Sequence, residues 1–327
     1  MSSVRHICKF IQQLAKGIYD VLISKTRYVV SYHVTHKELK RHKLITKSLY
    51  KHDGQTEGNG LLLLLLTVYT AGDIVLWSMT IFPSHDFVTD FKAIRSYGEE
   101  NMDLVDDPAG GHVKVMRVFY ANGTRNPGHH PRGGAQFYSY PIEQRTSVTL
   151  TYDVYFAKNF DFVKGGKLPG LMGGTTRTCS GGRDSEHCFT TRFMFRREGD
   201  GEVYFYAPQD QEPDFCEREN VKCNFEKGHS MGRGTWRFKT GVWQTISQHV
   251  HLNTLGVRDG FMKVWVDGHE VYESRHLLFR KYSEVEITGM FFSTFFGGSD
   301  STWETPHDTY TYYKNFFFTT QPHPHYP

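Results

Sequence analysis

The chain holds 327 residues, room for one large domain with a tail or for two small domains. Aromatic residues make up 15% of it and 31 glycines stand against 12 prolines, a balance that favours an all-β domain over a helical one. The formal net charge of +3 comes from one end: residues 1–60 carry 11 basic and 4 acidic side chains and the remainder carries 27 and 31, which excludes nucleic-acid binding as a property of the whole chain.

Residues 1–60 form a basic tail, expected to be poorly structured or helical, the helical option being an amphipathic stretch at Ile7–Leu22. Residues 61–76 open with the six leucines Leu61–Leu66 and stay uncharged to Gly72. That run is too short for a comfortable membrane span. It matches a signal-peptide core, with Thr70 and Gly72 as a small-x-small cleavage site. Its distance from Met1 leaves two forms of export: a start downstream of Met1, or an uncleaved signal-anchor through residues 61–72 with its basic side in the cytoplasm. A buried strand followed by a loop is the plain alternative. Secretion is the expectation, membrane anchoring the second choice.

From Trp77 the texture is short strands and turns. Val113–Tyr120, Ala135–Tyr140, Ser147–Phe156, Phe189–Arg196, Glu202–Ala207, Gly241–Leu252, Phe261–Val266, Val285–Phe296 and Thr309–Thr319 read as strands. Glycine pairs and Asn-Gly or Asp-Gly steps read as turns, among them Gly165-Gly166 and Gly173-Gly174. No long amphipathic helix is visible, so residues 77–320 are expected to form a two-sheet antiparallel sandwich, a β-jelly roll, with 321–327 as a C-terminal tail. Asn122-Gly123-Thr124 is an Asn-x-Thr glycosylation site if the chain is exported.

Of five cysteines, Cys8 is alone and the others fall in two close pairs. Export predicts disulfides Cys179–Cys188 and Cys216–Cys223; four reduced thiols would mark a cytosolic protein. No Cys-x-x-Cys occurs, which argues against zinc. No metal and no cofactor are expected.

The segment Lys164–Pro208 carries the chemistry. Strand alternation puts Thr190, Arg192, Met194 and Arg196 on one face and Phe189, Thr191, Phe193 and Phe195 on the other. Tyr204 and Tyr206 share a face opposite Val203 and Phe205. A hairpin centred on residue 199 sets Arg192 opposite Tyr206, and one centred on 200 sets Arg196 opposite Tyr204. Either register gathers Arg192, Tyr204 and Tyr206 on one face, with the phenylalanines and Val203 in the core. Eight basic and three acidic residues between Lys158 and Arg197 make this region positive inside an acidic domain. Such a face suits an acidic sugar chain; a solvated face stabilised by cross-strand pairs is the alternative.

Gly165-Gly166-Lys167-Leu168-Pro169-Gly170, followed by Cys188-Phe189-Thr190-Thr191-Arg192 and Tyr204-Phe205-Tyr206-Ala207-Pro208, resembles polysaccharide lyase family 14, which includes alginate and glucuronate-polymer lyases. The likeness extends to Gly133-Gly134-Ala135-Gln136-Phe137-Tyr138, Trp243–Asn253, Trp265-Val266-Asp267-Gly268, Phe295–Ser299 and Tyr310–Phe317, and covers about residues 77–320. It implies a jelly roll with a substrate groove on a concave sheet. It also implies functional residues Lys167, Thr190, Arg192, Tyr204 and Tyr206. Thr190 departs from the family's Ser. Further substrate contacts are expected from Arg196, Gln136, His249, Trp303 and Lys314, the last two by family position alone.

A lyase removes the proton on C5 of a uronic acid and expels the 4-linked sugar. Arg192 or Lys167 would neutralise the adjacent carboxylate. Tyr204 and Tyr206 would serve as base and acid, because a phenol of pKa ~10 needs neighbouring cations to ionise near neutrality. The alternatives are a non-catalytic, lectin-like jelly roll and a glycoside hydrolase. A hydrolase needs paired carboxylates about 5–10 Å apart, for which Glu202, Asp184 and Glu186 are the candidates. The expected partner is an acidic polysaccharide, with no nucleic acid, bound by a monomer.

Overall fold

The computed structural model describes residues 74–175, 179–180 and 185–322. The basic tail, the leucine run, Cys8, Arg177, Arg183, Asp184 and residues 323–327 lie outside the described residues. Among the described residues no helix is long and apolar enough to cross a membrane.

Sixteen strands follow in order: β1 (Val75–Met79), β2 (Ala93–Tyr97), β3 (Met102–Asp106), β4 (Lys114–Tyr120), β5 (Ala135–Ser139), β6 (Ser147–Phe156), β7 (Gly165–Gly174), β8 (Cys188–Arg196), β9 (Gly201–Tyr206), β10 (Val221–Lys222), β11 (His229–Met231), β12 (Trp243–His251), β13 (Gly260–Val266), β14 (His269–Leu277), β15 (Ile287–Phe296) and β16 (Thr309–Thr319). One sheet runs β14-β13-β12-β6-β16-β4-β3, with β1 also paired to β16; the other runs β10-β11-β9-β8-β7-β15-β5-β2. All pairings between these strands are antiparallel. The fold is the expected two-sheet sandwich. Val75 and Leu76, assigned from sequence to the hydrophobic segment, belong to β1 instead.

The inner faces supply the core. Phe189, Phe193, Phe195, Val203 and Phe205 of the second sheet meet Val148, Leu150, Tyr152, Val250 and Phe318 of the first, all buried in one cluster. Period-two alternation therefore turns Thr190, Arg192, Met194, Tyr204 and Tyr206 away from the core. Polar links also cross the sandwich: Gln248 of β12 donates to the Thr191 carbonyl oxygen at 2.8 Å and accepts from the Thr191 hydroxyl, Tyr152 of β6 donates to the Pro169 carbonyl oxygen at 3.0 Å, and Tyr313 of β16 donates to the Thr294 hydroxyl at 2.8 Å.

β7 corrects the sequence reading. Gly165-Gly166 and Gly173-Gly174 are not turns; they lie in the strand between β8 and β15. A Cβ on Gly166 would sit 2.3 Å from both the Phe195 ring and the Phe295 carbonyl oxygen, and one on Gly173 would sit 2.3 Å from the Phe189 ring. The glycines are there because large aromatics of the neighbouring strands occupy that space.

Candidate active site

The β8–β9 register sets Arg192 opposite Tyr204, Thr190 opposite Tyr206 and Met194 opposite Glu202. The hairpin thus centres on residue 198, not on 199 or 200. Glu198 and Gly199 take the turn with φ of 59° and 82°. Parity is unchanged, so Arg192, Tyr204 and Tyr206 do share one face. β7 adds Lys167 opposite Met194, and β15 lies beyond it with Phe295 opposite Lys167.

Contacts knit these side chains together. Lys167 Nζ lies 3.2 Å from the Tyr204 ring centre and 3.0 Å from the Met194 sulfur. Arg192 Nη1 donates to Ser293 Oγ at 3.1 Å, and its guanidinium carbon stands 4.3 Å from the Phe291 ring centre. Phe291 stacks on Tyr138 at 4.3 Å, and the Tyr204 and Tyr206 rings meet edge to face at 5.2 Å. Arg192 is only 3% exposed and Lys167 8%, so the face is a sheltered trough. Arg192 Nε is buried without a partner among the described residues. Among the described residues neither basic group pairs with a carboxylate, which is unusual for a buried guanidinium and marks a place suited to an anion.

The electrostatics divide the roles. Burial, reinforced by the guanidiniums of Arg192 and Arg196, holds the Lys167 amine well below the ordinary lysine range, against the opposing pull of Glu202. Burial raises the Tyr204 phenol, and Tyr206 raises it further by charge and by a hydrogen bond. Burial alone would also raise Glu202. Arg196 and Arg233, each with a nitrogen 2.5 Å from a carboxylate oxygen, and the Ser230 hydroxyl outweigh that and keep it ionised below its usual value.

Glu202 is therefore an anion clamped between Arg196 and Arg233. Glu186 pairs with Lys281 at 2.7 Å. Arg196 is drawn to Glu202, although its guanidinium still lies 5.9 Å from the Tyr204 ring centre. Thr190 is buried and donates to the Cys179 carbonyl oxygen at 3.2 Å, so its hydroxyl holds the loop that ends at Cys188. The disulfides Cys179–Cys188 and Cys216–Cys223 are both formed, and the first packs against Tyr206 and Tyr204.

Other expected contacts scatter. Gln136 is on the trough face, opposite Ser293. Trp303 sits in the short helical turn Ser301–Trp303 at the end of the sheet, where Lys164 Nζ stands 5.8 Å from its ring centre. His249 and Lys314 are in the other sheet, with side chains turned away from the core. His249 Nδ1 lies 2.8 Å from the Thr149 hydroxyl, and Lys314 Nζ lies 2.8 Å from Asp107 and 4.1 Å from the Trp243 ring centre. Alternation with Gln248 and Tyr313, which face inward, removes both from the trough. Sequence reasoning missed Phe291, Ser293 and Tyr138. The signal was present, since Phe291, Ser293 and Phe295 alternate along a recognised strand.

An eight-stranded face lined by cations and phenols, backed by a second sheet, defines a carbohydrate-active β-sandwich. The polysaccharide lyase 14 model matches residues 109–316, and the chain belongs to that family; by that membership it is a polysaccharide lyase. The marine PL-14 alginate lyase from Aplysia kurodai is 38% identical and superposes with a TM-score of 0.70, covering 76% of this chain and all of that one. Alginate lyase vAL-1 from Chlorella virus has the same fold, at 19% identity and a TM-score of 0.60 over 76% of this chain and all of its own. Exolysin of Paramecium bursaria Chlorella virus 1 is 25% identical over an alignment of 214 residues that covers 58% of this chain and 32% of that relative. The chain thus spans about a third of that viral protein's length.

Proposed function

We propose that the protein cleaves a uronic-acid polysaccharide of alginate or glucuronan type by β-elimination. The observation that carries this reading is the pair of buried basic groups, Arg192 and Lys167, set beside two phenols with no carboxylate partner among the described residues. A sugar carboxylate supplies the missing anion. Arg192 holds it, and its fixed charge stabilises the enolate-like transition state in a site of low dielectric. Lys167, whose pKa burial and its cationic neighbours hold well below the ordinary lysine range, takes the C5 proton. The electrons of that C–H bond form the C4–C5 double bond as the C4–O bond breaks. Tyr204, whose phenol stays protonated, gives its proton to the departing oxygen, and Tyr206 orients it.

This assignment exchanges two expected roles, because burial acts oppositely on an amine and a phenol. The disulfides support an exported enzyme acting outside the cell. The test is incubation with polymannuronate, polyguluronate and glucuronan, following ultraviolet absorbance of the new double bond. Saturated products, or binding without turnover, would overturn the reading.

A further inference from the structure

The trough continues past Arg192. Ser293, which accepts from Arg192, faces Gln136 of β5, and Gln136 faces Tyr97 of the edge strand β2. These three side chains share the face that Arg192 occupies. Arg132, just ahead of β5, is exposed and places its guanidinium carbon 5.7 Å from the Tyr97 ring centre. No ion pair of the described residues includes Arg132. The Tyr97 hydroxyl is buried and lacks a hydrogen-bond partner among the described residues.

The place is also firmly built. Gly98, at φ 75°, packs so closely that a Cβ there would lie 2.2 Å from the Gly134 carbonyl oxygen. The buried Asn101 side chain donates to that same oxygen at 2.9 Å. These contacts fasten the start of β5 to the end of β2, and with them Arg132 to Tyr97.

We propose that Arg132, Tyr97 and Gln136 form an outer subsite for the carboxylate of a second uronate residue on the polymer bound at Arg192. The proposal rests on the reading of the trough as a uronan site. Arg132 supplies a cation, and Tyr97 and Gln136 supply hydrogen-bond donors. β8 and β2 are four strands apart in the sheet order. The Arg192 guanidinium, however, reaches Ser293 on β15, and β2 is two strand steps beyond β15, so at about 4.8 Å per step the subsite stands roughly 10 Å from that guanidinium. A 4-linked sugar chain laid across the strands repeats at close to the strand interval, so a chain of three or more residues reaches both places and a disaccharide does not.

The test is calorimetric binding of uronic-acid oligosaccharides of graded length. It is made in the K167A background so that turnover does not consume the ligand, with R132Q and Y97F added singly. Affinity should rise with length in K167A. R132Q should weaken the longer oligosaccharides about tenfold, as loss of a charge-assisted contact does, and leave a disaccharide unchanged; Y97F should do the same to a smaller extent. An R132Q protein that binds long chains as K167A alone does, or that loses disaccharide affinity equally, would overturn the subsite. Absence of ultraviolet-absorbing product from the wild-type protein would instead count against the lyase reading, because binding is read independently of turnover.

Discussion

The Lys167 amine nitrogen stands 3.2 Å from the centre of the Tyr204 ring. An ammonium favours such a ring face, yet Arg192 and Arg196 oppose its charge and burial removes its water. The rate should therefore rise with pH through the lowered Lys167 pKa, as the amine becomes free to accept a proton. Arg196→Gln removes one of the opposing cations and frees part of the Glu202 charge; both effects raise the Lys167 pKa. The acid limb of kcat/KM should move to higher pH, with kcat at the plateau reduced far less. A limb that stays in place would sink Lys167 as the base.

Arg192 is aimed from two sides, by the Ser293 hydroxyl at 3.1 Å and by the Phe291 ring at 4.3 Å. Ser293→Ala should lower kcat/KM by about tenfold, the size of a hydrogen bond to a charged group, with little change in melting temperature. The effect should disappear in an Arg192→Lys background, because Ser293 then has no guanidinium to orient. Equal losses in both backgrounds would show that Ser293 acts by another route.

Strand parity made much of this site legible. Alternation from Phe189 to Arg196 separates core from trough without knowledge of the register, which is why Arg192, Tyr204 and Tyr206 could be grouped although the turn was misplaced by one or two residues. β7 was hidden because its glycines answer to Phe195, Phe295 and Phe189 on neighbouring strands, and local propensity reads them as turns. His249 and Lys314 were misplaced for a different reason. Their strands were recognised, but which sheet a strand joins depends on pairing distant in sequence, such as Lys314 with Asp153. The role of Glu202 was likewise invisible, since Arg233 and Ser230 lie about thirty residues on, at separations of 31 and 28.

Thr190 separates a catalytic hydroxyl from a structural one. Its Oγ1 donates to the Cys179 carbonyl oxygen at 3.2 Å within the loop closed by the Cys179–Cys188 disulfide. Thr190→Ser keeps that donor and should retain activity within a few-fold. Thr190→Val keeps the shape and leaves the buried carbonyl unsatisfied, which costs about 1–3 kcal/mol. It should lower the melting temperature and make activity more sensitive to a reductant. Complete loss of turnover in Thr190→Val with unchanged melting would return the hydroxyl to the chemistry.

Gly228 packs its backbone against both phenol rings. A Cβ there would lie 2.9 Å from Cε2 and Cζ of Tyr206 and 3.1 Å from Cε1 of Tyr204. Real carbon contacts do not close to that distance, so Gly228→Ala must push one or both rings. Gly228 is not among the residues with positive φ, so the backbone accepts alanine without strain of its own. The displaced atoms are the ones proposed to donate and orient a proton, and displacements well below 1 Å are costly in such a site. Gly228→Ala should therefore lower kcat by about tenfold while KM and the melting temperature change little. Gly228→Val, with more bulk in the same place, should lower it further. Tyr206→Phe should remove the orienting hydroxyl without moving the ring, and a second loss on adding Gly228→Ala would show that ring position matters in its own right. If Gly228→Ala is as active as the wild type, the tyrosine rings have slack, and their placement does not set the rate.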